Sequence, residues 1–102
     1  MATLHTVNKS PFERSAFISA LNHLKPGDAV LMIEDGVVGA RKGGAFANFL
    51  EKAAANCVIY VLGPDLAARG MAEQDVIQGA KLVDYGGFVD LVAAHDRTQA
   101  WL

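Results

Sequence analysis

Short apolar segments alternate with segments of helical periodicity along the chain, and this alternation is the feature that most constrains its fold. Residues 29–33 and 57–62 are nearly continuous apolar runs, rich in β-branched residues, as is typical of strands covered on both faces. Apolar residues recur at helical spacing in the segments between such runs. Strand–helix alternation favours a parallel sheet enclosed by helices. We therefore predict an α/β fold, a three-layer α/β/α sandwich with a mainly parallel sheet of about five strands, in a single domain over residues 1–102.

Local signals set the expected bounds of the first helix. Ser10 is predicted to cap it, because Pro11 suits the first helical position and Glu13 stands where a capping box needs an acidic residue. Pro26-Gly27 would end it. The predicted strands are residues 3–7, 29–33, 57–62, 81–84 and 98–102.

The later helices are predicted from their apolar stripes and their glycines. Residues 66–70 form a short predicted helix, and residues 72–78 a weaker helical segment. Gly43-Gly44 precede one stripe and Gly86-Gly87 precede another. The first stripe is Phe46, Phe49, Leu50 and Ala53, and the second is Phe88, Leu91, Val92 and His95.

Composition excludes several classes of protein. Hydrophobic residues make up 52% of the 102 residues, which is too many for a disordered chain. A net charge of −2 with dispersed Lys and Arg offers no basic patch, so no direct nucleic-acid partner is expected. The N-terminus does not resemble a signal peptide and no apolar run approaches the ~18 residues of a membrane span, which predicts a soluble cytoplasmic chain. The apolar excess in so small a domain indicates association.

Acidic loops follow most of the predicted strands. The carboxyl ends of parallel strands meet at one edge, where ligands and partners usually bind. Asp35, Asp65 and Asp84 could converge there for acid/base chemistry. Loop aspartates more often accept hydrogen bonds from their own turns, and we favour that interpretation. The candidate interface or loop-edge residues are Asn8, Lys9, Asp35, Gly36, Asp65, Asp84 and Tyr85.

No cofactor or metal site is predicted. The glycines between residues 36 and 44 have neither dinucleotide-binding nor P-loop spacing. His5, His23 and His95 lie on three different predicted elements, without metal-ligand spacing, and His5 is expected to be a hydrogen-bonded histidine in the core or at its rim. Cys57 is the only cysteine. It opens a strand at the edge opposite the acidic loops, so we favour a structural role over a reactive thiol.

Five sets of short motifs lie in order over nearly the whole chain: His5 to Phe12, Glu34-Asp35-Gly36, Val61 to Leu66 with Ala68-Arg69-Gly70, Val83-Asp84-Tyr85 with Phe88-Val89, and Gln99-Ala100-Trp101. Together they resemble the DsrH/TusB family of sulfur-relay subunits. The resemblance implies a DsrE-like fold and a heterohexamer with two homologous subunits, DsrE and DsrF or TusD and TusC. Such complexes hand persulfide sulfur to a carrier, DsrC or TusE, for sulfur oxidation or for 2-thiolation of the tRNA wobble uridine.

One departure from the family pattern bears on function. DsrH-type members of the oxidation branch carry a cysteine in the first helix, where this chain has Ala20. The resemblance therefore implies a structural or docking subunit whose reactive thiol belongs to a partner, and it leaves open whether the chain itself counts as an enzyme. Two alternatives stay open: a persulfide carrier that uses Cys57, and a stand-alone homo-oligomeric α/β module. The choice between the two pathways also stays open.

Overall fold

The computed structural model describes residues 2–102 and contains five strands, four α-helices and two 3-10 segments. The strands are β1 Thr3–Val7, β2 Ala29–Met32, β3 Val58–Leu62, β4 Ala80–Val83 and β5 Arg97–Trp101. The helices are α1 Ala16–Asn22, α2 Ala47–Ala53, α3 Gly63–Ala68 and α4 Tyr85–Ala94, and the 3-10 segments are Glu34–Ala40 and Glu73–Asp75. None of the helices described combines the length and the apolar character needed to cross a bilayer.

The five strands form one all-parallel sheet in the order β4-β3-β2-β1-β5, which confirms the predicted fold class. Each step from β1 to β4 moves to the next strand in the same direction. The last connection returns across the sheet to place β5 beside β1. Because parallel crossovers are right-handed, the reversal puts α4 on the opposite face from α1, α2 and α3.

The two faces of the sheet are covered unequally. The larger core lies under α1, α2 and α3, which contribute Phe17, Leu50 and Leu66. The smaller core is Leu4, Ala29 and Leu31, with Phe88 and Leu91 of α4 packed on it. A helix with its side chains is ~10–12 Å across, whereas five strands side by side span ~19 Å. A single helix therefore leaves part of this face open.

The first helix is shorter than predicted, because the chain turns once before it begins. The Ser10 hydroxyl accepts a hydrogen bond from the Phe12 amide (3.2 Å), two residues on, rather than capping a helix. The Ser10 carbonyl accepts from the amides of Glu13 and Arg14 (both 3.0 Å). The predicted capping box does not form, and α1 ends at Asn22, before Pro26-Gly27.

Two other segments are organised differently from the sequence prediction. Glu34-Asp35-Gly36 was expected as a loop, but it opens the 3-10 segment Glu34–Ala40, in which Val37 and Ala40 are fully buried. α3 begins at Gly63, with proline in its first turn, rather than at residue 66. Of the weak segment 72–78, only Glu73–Asp75 is helical.

Two members of the predicted apolar stripes are exposed. Phe49 on α2 is 51% exposed, and its ring lies beside that of Phe46 (centroids 6.1 Å apart). Val92 on α4 is 42% exposed, whereas Phe88 and Leu91 contact the sheet. Helical spacing predicts a stripe, but the neighbouring layer decides how wide a stripe it covers.

Candidate functional site at the carboxyl edge of the sheet

The residues that follow β1 are half-buried at the carboxyl edge of the sheet. Asn8 and Lys9 come directly after Val7, which ends β1. The Asn8 side-chain oxygen is shielded from solvent and has no hydrogen-bond partner among the residues described. Both Asn8 and Lys9 are partly exposed at this edge.

Gly36 packs inside this edge rather than on its surface. The residue is buried, and a Cβ atom built on it would lie 2.2 Å from the carbonyl oxygen of Val7. The same carbonyl accepts a hydrogen bond from the Ile33 amide (3.0 Å). Gly36 therefore permits a close backbone approach between the 3-10 segment and β1, and it is not part of the exposed loop surface.

Asp35 and Asp65 are brought together by Arg69, a residue that the candidate set did not include. The Arg69 guanidinium donates from Nε (3.0 Å) and Nη2 (2.8 Å) to Oδ1 of Asp35, and from Nη1 to the backbone oxygen of Asp65 (3.2 Å). The Asp65 carboxylate accepts from the Glu34 amide (2.6 Å). Glu34 has a φ of 49°, an uncommon conformation for a residue other than glycine. These contacts tie the chain after β2 to α3.

Asp84 and Tyr85 form the start of α4. The Asp84 carboxylate accepts a hydrogen bond from the Gly87 amide (2.8 Å), which makes it the N-cap of the helix. Tyr85 is 60% exposed. Asp84 serves its own helix and has no hydrogen bond to the cluster around Arg69.

The geometry of the three carboxylates suits loop stabilisation rather than acid/base catalysis. Asp65 and Asp84 accept backbone hydrogen bonds and Asp35 accepts from Arg69. Each is already used to position a segment, as expected for aspartates in turns. Residues 2–102 contain no group of three or more His, Cys, Asp or Glu side chains arranged to hold a metal ion.

Cys57 lies just before β3, at the opposite edge of the sheet. Its side chain is 7% exposed, and its thiol donates a hydrogen bond to the carbonyl oxygen of Lys25 (3.3 Å). Burial raises the pKa of this thiol, and the nearby charge of Asp28 raises it further. Both effects disfavour the thiolate, which is the nucleophilic form.

Two further features concern the surface available to other molecules. Ala20 on α1 is fully buried in the larger core and offers no surface to another molecule. Tyr85, Val89 and Val92 recur at helical spacing on α4 and are 60%, 68% and 42% exposed. The outer side of α4 is thus an apolar stripe in solvent, a kind of surface that commonly marks a protein interface.

A buried polar cluster at the amino edge was only partly predicted. His5, expected as a hydrogen-bonded histidine, is confirmed as one: its Nε2 lies 2.9 Å from the carboxylate of Asp28, and its Nδ1 accepts from Nε1 of Trp101 (3.0 Å). Asp28 also accepts from the amides of Thr3 (3.0 Å) and Lys25 (3.1 Å). The charged residue directly before an apolar strand is the one local signal that could have singled out Asp28.

Sequence comparison finds relatives over nearly the whole chain. A family model described as "DsrH like protein" matches residues 9–98. Protein TusB of Pectobacterium parmentieri is 37% identical over 99 residues, covering 96% of this chain and 99% of that protein. Protein TusB of Escherichia coli (strain K12) is 37% identical over 101 residues, with the same coverage.

Comparison with solved structures supports the fold independently. The crystal structure of the ychN protein from E. coli matches with a TM-score of 0.82, covering 99% of this chain and all of the other. The two sequences are only 14% identical, so this likeness concerns the fold alone. The architecture of layers and strand order therefore recurs in a protein of very different sequence.

Proposed function

Because this chain belongs to the DsrH/TusB family of sulfur-relay proteins, we propose that it is a non-catalytic docking subunit of a sulfurtransferase complex. Its partners in this proposal are two homologous subunits, one DsrE/TusD-like and one DsrF/TusC-like. The reactive thiol belongs to the DsrE/TusD-like subunit, and the sulfur passes from it to a DsrC/TusE-like carrier.

The environment of Cys57 is the observation that carries this proposal. In persulfide relay, a thiolate attacks the terminal sulfur of a donor persulfide, the donor S–S bond breaks, and the donor leaves as a thiolate. The only thiol in this chain is buried, donates a hydrogen bond to the Lys25 carbonyl and has a raised pKa. Its burial and its raised pKa both disfavour the thiolate attack that the step requires.

The environment of Ala20 supports the same conclusion. A cysteine at this position in other family members would need to meet a sulfur donor. In this chain the position lies on the buried face of α1, within the larger core. The site is thus used for packing between α1 and the sheet.

The surface of the opposite face supports a docking role. α4 has no buried residue, and its outer side exposes Tyr85, Val89 and Val92. Interfaces of obligate complexes are large and relatively hydrophobic. A subunit that contributes contact surface needs such a stripe, whereas a monomer would gain stability by covering it.

We favour the Tus branch, and therefore tRNA 2-thiolation, as the pathway. The sequence relatives described above are named TusB, and Ala20 replaces the cysteine of the oxidation-branch members. Deleting the gene in the native host should lower the 2-thiouridine content of wobble positions. An unchanged content together with a defect in sulfur oxidation would assign the chain to the other branch.

The decisive experiment reconstitutes the complex with Cys57→Ala. Sulfur transfer to the carrier, measured by mass spectrometry of the carrier persulfide, should match that of the unsubstituted complex within twofold. The control replaces the reactive cysteine of the DsrE/TusD-like partner and should abolish transfer. A loss of transfer in the Cys57→Ala complex, with assembly intact by native mass spectrometry, would overturn the proposal.

Native mass spectrometry also tests the stand-alone alternative. Our proposal predicts a complex that contains this chain and both homologous subunits. A homo-oligomer that persists in the presence of both relatives would instead support the independent α/β module.

A further inference from the structure

A cleft opens beside the edge strand β5, at the amino edge of the sheet and on the face that carries α1. It has a volume of about 550 Å³, within the range of small-molecule sites, ~300–1,000 Å³. Arg97, Gln99 and Trp101 alternate along β5, so their side chains line the same face of the sheet. His23 and Lys25, at the end of α1 and just beyond it, form the other wall.

The floor of the cleft is rigid because its polar groups satisfy one another. Trp101 Nε1 can only donate, so His5 Nδ1 accepts and the neutral ring carries its hydrogen on Nε2, which donates to Asp28. His5 and Asp28 are 5% and 4% exposed. This chain of hydrogen bonds fixes the indole of Trp101 at the cleft wall. The His23 ring lies beside that indole, with centroids 5.1 Å apart.

The charge that remains in the cleft is positive. Asp28 is the only acidic residue in the lining, and its carboxylate already accepts three hydrogen bonds, from His5 and from the Thr3 and Lys25 amides. Within residues 2–102, neither the Lys25 ammonium nor the Arg97 guanidinium forms an ion pair. Two cations without a carboxylate partner thus face one cavity, in a chain whose net charge is −2.

From these observations we propose that the cleft is a binding site for a small ligand carrying an oxyanion, such as a phosphate or a sulfate group. The guanidinium of Arg97 presents planar donors that match an oxyanion, and Lys25 adds a second charge. The Gln99 amide supplies a neutral donor between Arg97 and Trp101 along the strand. The rigid floor keeps the cleft open before a ligand arrives, which lowers the entropic cost of binding.

Trp101 makes the proposal directly testable, because it is the only tryptophan in the chain. In a ¹⁵N-labelled sample, alone or assembled with unlabelled partner subunits, the chain contributes a single indole N–H signal. Titration with inorganic phosphate should shift this signal saturably. Sodium chloride at equal ionic strength should not.

Matched variants distinguish phosphate binding in the cleft from nonspecific attraction of phosphate to positive charge. The double variant K25Q/R97Q should weaken phosphate binding at least tenfold, since it removes both cations of the cleft. The control K42Q/K81Q also removes two positive charges, at exposed positions outside the lining, and should leave binding within twofold. Circular dichroism verifies that both variants are folded.

Either of two results would overturn the proposal. One is a shift of the indole signal with chloride as large as that with phosphate. The other is equal phosphate affinity in K25Q/R97Q and the unsubstituted chain. Because neither measurement depends on sulfur transfer, the docking function proposed above stands or fails separately.

Discussion

Two single residues are important for the stability of this sheet: Gly36, where two backbone segments lie in close contact, and Asp28, whose carboxylate is buried. Gly36 allows the 3-10 segment after β2 to lie against the Val7 carbonyl, where a Cβ atom would be 2.2 Å from the oxygen. Neither partner in that contact is the end of a flexible side chain. Any larger residue must therefore displace backbone.

Gly36→Ala is expected to lower the free energy of unfolding by about 1–3 kcal/mol, the usual cost of overpacking a core. Urea denaturation measures the change. Gly86→Ala is the control: Gly86 is exposed in α4, and its added Cβ would lie 3.4 Å from an Asp84 side-chain oxygen, an ordinary contact. Alanine there should be neutral or stabilising. Equal effects of the two substitutions would show that the close approach at Gly36 is unimportant.

Asp28 shows how a buried charge is retained. Burial by itself would raise the pKa of this carboxyl, but hydrogen bonds from the Thr3 amide, the His5 ring and the Lys25 amide hold it below its ordinary value of 3.8. A carboxyl with a lowered pKa in the folded state stabilises the protein above its unfolded-state pKa. That contribution is lost as pH falls through the folded-state value.

Asp28→Asn should cost about 2 kcal/mol of unfolding free energy near neutral pH, the order expected for hydrogen bonds to a charged group. Denaturation at a series of pH values gives the difference in unfolding free energy between the Asp28→Asn variant and the unsubstituted protein. This difference should be constant well above pH 3.8 and should become smaller below it. Asp90→Asn, at an exposed position of α4, is the control and should show little gap at any pH. A pH-independent gap for Asp28→Asn would mean that the carboxyl acts by shape and not by charge.

Among the elements, α4 is the helix whose stability depends most on hydrogen bonds at its own ends. It packs on the sheet through Phe88 and Leu91 but buries no residue completely. The Asp84 carboxylate satisfies the Gly87 amide at its first turn, and the ring of His95 lies 2.7 Å from the Leu91 carbonyl at its last. Because α4 packs weakly on the sheet, these end contacts contribute a large share of its stability.

Asp84→Ala should therefore destabilise the protein by about 1 kcal/mol, the typical cost of losing an N-cap. Amide hydrogen exchange should rise in the first turn of α4 more than elsewhere. Asp90→Ala serves as the matched control, since it removes the same charge from an exposed position within the helix. Equal exchange in the two variants would show that the cap does not limit opening of α4.

At the scale of the whole molecule, the unequal covering of the sheet is the dominant feature. Three helices and a 3-10 segment bury one face, while α4 alone covers the other. The outer side of α4 is itself apolar, so the proposed docking function would use this face of the molecule.

Val89→Asp places a charge in the middle of that outer side, where the valine is 68% exposed. The stability of the isolated chain should change by no more than ~0.5 kcal/mol, as for most surface substitutions. Assembly with the homologous subunits, followed by native mass spectrometry, should weaken at least tenfold. Gln78→Asp adds the same charge at an exposed position outside α4 and should leave assembly intact. Normal assembly of the Val89→Asp variant would exclude α4 from the interface.

Much of the fold could be read from local pattern. Runs such as 57–62 predict strands because side-chain burial on a pleated surface favours β-branched residues, and strand–helix alternation leaves few topologies other than a parallel sheet. The carboxyl-edge residues Asp35 and Asp65 were identified because such loops converge in any parallel sheet. That Asp84 caps its own helix is equally a local effect.

The tertiary structure decided what depends on distant partners. Which side of α4 is covered, and hence that Val92 is exposed, follows from the return of the chain across the sheet to β5. The buried contacts of Asp28 with His5 and Thr3 join residues 23 and 25 positions apart, so no local pattern encodes them. The chain by itself thus determines its elements and their order, because these rest on short-range sterics and periodicity. The tertiary structure decides which layers cover each face and which polar groups pair between them, because both depend on contacts between segments far apart in sequence.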